Sequence, residues 1–471
     1  MSTTVSPLDS ARTELASFGD RLVGPNDGRY DEARTLFNAM IDKRPALIAL
    51  CTSADDVAAA IRFAREQDLT IAVRGGGHNG GGLASVDDGI VIDLSPLKEV
   101  SVDPAARTVR VGGGCVWGEV DAATGPHNLA VPTGIISSTG VGGLTLGGGH
   151  GYLSRRHGLT VDNLLSAQMV LADGSQVTAS ADENPDLFWA IRGGGGNFGV
   201  ATEFTFRAHP LETVVGGPTF WAVEDADELL AAYREWLPAA PRNMMGFFNF
   251  HTIPPVKEAF PEELHLRKVC GIVWCMDASD EEAEAAMAPL LSVAEPLLHG
   301  VGRMPIAALN AAFDGLYGPG DQWYWRGAFL REIPDEAIRV NREWNERMPG
   351  FKAGTHFYPV DGAVNDVAPE DTAFGYRDAT WSQVFIGCDP DPGKASAVRE
   401  WTIGYHQAIV PFSAGASYVN FMMDDEGQAR VKATYGKNYQ RLAQVKAAVD
   451  PDNVFRVNQN IRPAMTQTAA G

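Results

Sequence analysis

Hydrophobic positions along the chain repeat with two periods. Val57, Ile61 and Ala64 recur at helical spacing behind Ser53, and Asp56 three positions after that serine resembles a capping box. Residues 70–73 (Thr-Ile-Ala-Val) and 89–94 read as short buried strands. Residues 100–111 predict a hairpin turning at Asp103-Pro104. Residues 165–171 and 176–179 predict a second strand pair turning at Asp173-Gly174. Residues 186–191 read as helical, and residues 200–207 alternate as a strand does. From about residue 212 to about residue 410 aromatic strands alternate with acidic helices such as 277–298, which predicts a second structural unit. After residue 410 a helix carries Tyr435, Tyr439, Leu442, Val445 and Val449 on one face, and the chain then turns at Asp450-Pro451-Asp452.

Composition changes this picture in one respect. The chain has 471 residues, of which 45% are hydrophobic and 21% charged, as in an ordinary globular protein. Its 38 Lys+Arg against 59 Asp+Glu leave a net charge of −21, which argues against a nucleic-acid or anionic-membrane partner. No apolar run approaches the ~20 residues needed to span a bilayer. The first residues have neither the basic nor the apolar region of a secretory signal, so a cytoplasmic protein is expected. Five cysteines without metal-ligand spacing fit a reducing compartment and buried apolar roles, with no metal site. The anomaly is glycine: 27 of the 51 glycines fall between Gly75 and Gly199.

Gly194, Gly196 and Gly199 satisfy GxGxxG, but a nicotinamide fingerprint follows a strand and opens a helix. Here a helix precedes the motif and a strand follows it. No Walker A loop is present, since neither Gly393-Lys394 nor Gly436-Lys437 continues to Ser or Thr. Tight turns would use glycine for its access to positive φ. Three-glycine runs at strand exits also fit loops whose amides approach a diphosphate, which an acidic protein needs as neutral donors. Pattern alone leaves both readings open. It likewise leaves His78, at the end of the first loop, as either a backbone-bonded loop histidine or a nucleophile beside a cofactor.

Several motifs stand in a fixed order: Arg74-Gly-Gly-Gly-His78, Pro132-Thr-Gly with Gly140-Val-Gly-Gly143 and Gly147-Gly-Gly-His-Gly151, Gly196-Asn-Phe-Gly199-Val, and Phe455-Arg-Val-Asn458-Gln-Asn-Ile461. Together, over roughly residues 30–462, they resemble the berberine bridge enzyme-like branch of the vanillyl-alcohol oxidase flavoproteins. The resemblance implies an α+β fold. A PCMH-type bipartite FAD-binding domain would take residues 1–211 (core about 43–211) and a returning segment 411–471. An antiparallel-sheet substrate domain flanked by helices would take 212–410. It also implies FAD linked through its 8α carbon to His78. Arg74, Gly75, Gly76, Gly77, His78 and Asn79 would cradle the pyrophosphate. Ile136, Thr139, Gly140 and Gly143 would line the flavin, Gly199 and Val200 would lie at the adenine, and Asn458 would lie near the isoalloxazine. Many relatives carry a second, cysteinyl link where this chain has Ile136, so a single linkage is expected, as in a bacterial subgroup of oxygen-reactive enzymes.

The same resemblance implies oxidation of an alcohol-type C–H bond of a small organic substrate, with O2 as the electron acceptor. Tyr418 is the expected base. Where relatives carry Glu or Gln on the strand after Arg377-Asp378 this chain has Phe385, and Gln383 lies two residues earlier. Gln383 and Tyr324 are therefore the further catalytic candidates. Arg326, Phe247, Phe248 and Phe250 are candidates for the pocket, although an aromatic cluster also fits a core. A flavin-dependent dehydrogenase or an oxygenase or cyclase of secondary metabolism, and a non-catalytic flavin-binding protein, are the alternatives. A monomer or homodimer is expected.

Overall fold

The computed structural model describes residues 7–257 and 260–465; the first six residues of the leader assessment above lie outside them. Three large sheets organise the described residues, beside a two-stranded one of Leu129–Ala130 and His209–Pro210. The first has four strands in the order Leu22–Val23, Leu47–Leu50, Ile90–Asp93, Ile71–Arg74. Its last three strands run parallel, and Ile90–Asp93 at its centre is buried throughout, as a strand covered on both faces must be. The crossover helix Ala54–Glu66 is capped by Ser53, whose hydroxyl accepts from the Asp56 N–H at 3.2 Å. The reciprocal bond of the expected capping box reaches one residue further back, to the Thr52 N–H at 2.9 Å.

The second sheet is antiparallel, in the order Val100–Asp103, Thr108–Gly112, Val200–Arg207, Leu164–Val170, Gln176–Ser180. Both expected strand pairs are present, and Gly174 supplies the positive φ of +81° at the second turn. Val109, Val111, Met169, Phe204 and Phe206 form one core with the helices Pro185–Ile191 and Tyr439–Val449. The helix expected to carry both Tyr435 and Tyr439 is in fact two, Gly427–Tyr435 and Tyr439–Val449. Gly436, at φ +51°, breaks the run between them.

The third sheet is antiparallel and built from residues 214–389. Its central strands are Lys268–Met276, Met244–Thr252, Gly354–Pro359 and Trp381–Asp389, with Gln322–Leu330 at one edge. Side chains alternate between its faces. Phe248, Phe250, Trp274 and Phe385 pack on the helices Ala226–Ala239, Asp335–Asn345 and Ala395–Ile409. Phe247, Val273, Trp323, Tyr358, Val384 and Ile386 face the other way, toward Ile135 within the glycine motifs of residues 132–151 and Tyr152 and Leu153 just after them. The helix expected over residues 277–298 is shorter, Asp280–Leu291, because Ser279 and Glu282 cap it in a reciprocal box.

One buried ion pair fixes the returning C-terminal segment. Lys446 and Asp450 are both fully buried, with Nζ to Oδ2 at 2.6 Å. Nζ also donates to the carbonyls of Asn197 at 2.6 Å and Phe455 at 3.2 Å, and Asp450 accepts from the N–H groups of Val454 and Phe455. Burial pushes the Lys446 ammonium down, against Asp450, which raises it. The pair thus closes the turn that carries residues 455–461 back against Asn197. Lys446→Met leaves Asp450 as a buried carboxylate without its cation, so a loss of about 3–5 kcal/mol in unfolding free energy is expected in urea titration. A loss below about 1 kcal/mol would show that the pair does not hold the segment.

Candidate active site

The strand Ile71–Arg74 delivers the first glycine loop onto the wall of a cavity of about 350 Å³, within the usual range for a small-molecule site. Gly75, Gly76, Gly77, His78 and Asn79 line it. Arg74 does not. Its guanidinium turns inward to Asp93, with Nη2 to Oδ2 at 2.6 Å and both side chains buried, so it anchors the loop from behind. The expected direct pyrophosphate contact of Arg74 is corrected on that ground.

Gly76 packs backbone to backbone on Gly140 of the second loop. A Cβ on Gly76 would lie 2.5 Å from the Gly140 nitrogen, and one on Gly140 would lie 2.4 Å from the Gly76 nitrogen. No other residue type allows this approach. The contact brings Ile136, Thr139, Gly140 and Gly143 onto the cavity wall beside the first loop. A Cβ on Gly143 would meet nothing within 4 Å. The wall therefore presents bare backbone along two loops, as a dinucleotide diphosphate in an acidic protein requires.

His78 stacks on Phe37 with ring centroids 4.0 Å apart, and its Nε2 lies 3.2 Å from Ser138 Oγ. The ring opens to the cavity but is otherwise enclosed. Burial lowers its pKa to about 4, against the Ser138 backbone and Asp314, which raise it. It is thus a neutral, nucleophilic imidazole at ordinary pH. Asp314 also accepts from the Ser137 N–H at 3.0 Å, fixing the residue beside Ser138.

The third glycine block completes the wall. Gly199 and Val200 line it, and Asn458 donates to the Gly196 carbonyl at 3.0 Å. Asn197 accepts from the Ile461 N–H at 3.0 Å. Helix Pro185–Ile191 precedes this block and strand Val200–Arg207 follows it, an order opposite to the nicotinamide fingerprint.

Tyr418 also lines the cavity. Its hydroxyl oxygen accepts from the Gly149 N–H and from Asn420 Nδ2, each at 2.8 Å. Burial raises its pKa to about 12, while those two donors lower it. The other two catalytic candidates lie elsewhere. Gln383 is fully buried on the opposite face of its strand, donating to Asn341 Oδ1 at 2.6 Å. Its neighbours Val384 and Ile386 take the cavity side. Tyr324 donates to Asp425 Oδ2 at 2.6 Å and accepts from Arg326, on the side of helix Ala395–Ile409; Trp323 and Trp325 face the cavity instead. In both strands the period of two places the candidate residue away from the site. Phe248 and Phe250 are turned away for the same reason, whereas Phe247 packs against His356 and Tyr358 behind the wall.

Four further residues on the wall were not singled out from sequence: His150, Tyr317, His356 and Tyr358. His150 stands inside the quoted Gly147–Gly151 motif, which was its available signal. The others come from strands and a loop with no local motif. Among the described residues, no Asp, Glu, Lys or Arg lines the cavity.

Comparison with known proteins places this geometry. A family model described as "FAD binding domain" matches residues 45–180, and one described as "Berberine and berberine like" matches residues 417–462. FAD-linked oxidoreductase pgmH of Aspergillus terreus is 43% identical, over 93% of this chain and 92% of its own. (R)-6-hydroxynicotine oxidase of Paenarthrobacter nicotinovorans is 31% identical, over 96% and 98%. The structure of glucooligosaccharide oxidase from Acremonium strictum, which carries 6-S-cysteinyl, 8α-N1-histidyl FAD, shares the fold with a TM-score of 0.85 at 23% identity, over 97% and 99% of the two chains.

Burial holds His150, His251 and His356 neutral, with pKa values lowered to about 3, 4 and 3. In the unfolded chain they bind protons near pH 6.5, so between that pH and the folded values the unfolded state holds more protons. Stability conferred by their neutrality is therefore present above about pH 6.5 and is lost as pH falls, at about 1.4 kcal/mol per pH unit for each histidine. Thermal unfolding followed by circular dichroism should show a midpoint that falls steadily from neutral pH to about pH 5. A flat midpoint over that range would contradict the burial of these rings.

Proposed function

Because the chain belongs to the berberine-like family of FAD-linked oxidoreductases, we propose that it is an oxidase with one covalent histidyl-FAD, acting on an alcohol-type C–H bond of a small organic substrate. The observation that carries this reading is the placement of Tyr418, with two fixed donors on its oxygen, on the wall of the cavity that the His78 loop also lines. Bound there, FAD would supply the two-electron acceptor for the substrate's hydride, with O2 as the final oxidant and H2O2 as its product.

The chain's residues supply the rest. Backbone amides of the glycine loops hold the cofactor without a cationic wall. Ser138 engages His78 Nε2, which leaves Nδ1 for the link to the 8α carbon. Ile136 occupies the wall where relatives carry a second, cysteinyl link, and Cys115 is buried at the Leu97 and Glu99 carbonyls, off the wall. A single tether follows. Tyr418 accepts the substrate hydroxyl proton as hydride leaves the adjacent carbon, and the Gly149 and Asn420 donors stabilise its phenolate form. Val384, Ile386 and the aromatic side chains of the third sheet exclude water from the reacting carbon.

Because burial keeps the Tyr418 pKa near 12, the fraction of phenolate grows about tenfold per pH unit below it. Stopped-flow reduction by substrate should accelerate with rising pH, and Tyr418→Phe should slow it by about 10²–10⁴-fold. A rate unchanged in Tyr418→Phe removes Tyr418 as the base. Exposing the substrate-reduced protein to oxygen should return oxidised flavin and stoichiometric peroxide. A flavin that stays reduced under oxygen would make the protein a dehydrogenase using another acceptor, and fast reoxidation without peroxide would make it an oxygenase.

A further inference from the structure

The cavity wall contributed by the third sheet and its loops is aromatic, with Tyr317, Trp323, Trp325 and Tyr358, joined by Phe421. Two histidines interrupt it. His356 is satisfied, with Nδ1 2.7 Å from the Tyr358 hydroxyl. His150 is not: it is buried, and among the described residues neither Nδ1 nor Nε2 has a hydrogen-bond partner on another residue. A buried polar atom without a partner is costly, and a bound hydroxyl group would relieve that cost. The His150 ring is packed between Tyr358 and Tyr418, with centroids at 4.8 and 4.4 Å, so it stands beside the expected base.

We propose that the substrate is an uncharged aromatic compound bearing a hydroxyl group, with its ring against the aromatic wall and its hydroxyl paired with His150. This rests on the oxidase reading of the same cavity. Three observations select the class. Among the described residues the cavity has no Asp, Glu, Lys or Arg side chain, so a carboxylate or ammonium would be buried without a counter-ion. A neutral imidazole offers one N–H donor and one bare nitrogen, which match a hydroxyl, whereas a carboxylate only accepts and an ammonium only donates. Beyond His150, the unpartnered polar atoms of the aromatic wall are the Nε1 donors of Trp323 and Trp325, so an oligosaccharide would bring more hydroxyls than the wall offers acceptors, and each one left unpaired is costly.

The test is calorimetric titration of the purified holoprotein near neutral pH with 2-naphthol, naphthalene, 2-naphthoate, 2-naphthylmethylammonium and cellobiose. 2-Naphthol should bind about tenfold or more tighter than each of the others. His150→Phe should erase the margin of naphthol over naphthalene, and His150→Gln, which keeps a donor and an acceptor, should retain part of it. Equal or tighter binding of naphthoate, the ammonium or cellobiose overturns the proposal. So does a naphthol margin that survives His150→Phe while the ligand-free flavin spectrum shifts, since His150 would then be a partner of the cofactor. A preparation without flavin overturns the oxidase reading alone, because calorimetry ranks these ligands with or without the cofactor.

Discussion

Gly76 and Gly140 touch backbone to backbone, and the site depends on that contact. They lie 64 positions apart, at the exits of different segments, and any side chain on either would collide with the main chain of the other at about 2.5 Å. Their contact makes two loops into one continuous wall of amides. It also sets Ser138 against His78, so the placement of the His78 ring follows from the close approach of two glycines. Arg74 and Asp93 hold the first loop from behind, and Asp314 holds the second through Ser137.

The distribution of charge follows the same logic. The chain carries a net charge of −21, yet among the described residues no Asp, Glu, Lys or Arg side chain reaches the cavity. Buried ions serve as joints between distant segments: Arg74 with Asp93, Arg155 with Asp361, Arg377 with Asp162, Lys446 with Asp450. Such pairs add little net stability, but removing one partner strands the other, so they fix which segments meet. The cofactor site is thereby left to neutral donors, and the substrate side to aromatic rings and uncharged histidines.

Much of this was legible in the sequence, and the limits have a physical cause. The strand pairs at 100–112 and 164–180 declare themselves by alternation and by Gly174. The glycine loops declare their ligand once their order along the chain is read together. The substrate side was less legible because a β-strand reverses its faces at every residue. Gln383 and Val384 are neighbours, as are Tyr324 and Trp325, and in each pair only the second reaches the cavity. Polarity favoured the wrong member both times, since a glutamine or a tyrosine looks more chemical than a valine or a tryptophan. His150 stood in plain view within a motif, but that both its nitrogens lack partners is a property of the folded interior. Even the Tyr435–Val449 run hid its break, which rests on the φ of Gly436.

The central claim is that the wall formed by these loops holds one FAD, joined to the chain through His78. Intact-mass measurement of the purified protein under denaturing conditions tests it most directly. The wild type should carry the mass of the chain plus one FAD, with the flavin mapped to the peptide that contains His78, and His78→Ala should run at the mass of the chain alone. A wild-type protein at its unmodified mass, or flavin mapped to another residue, would contradict the account.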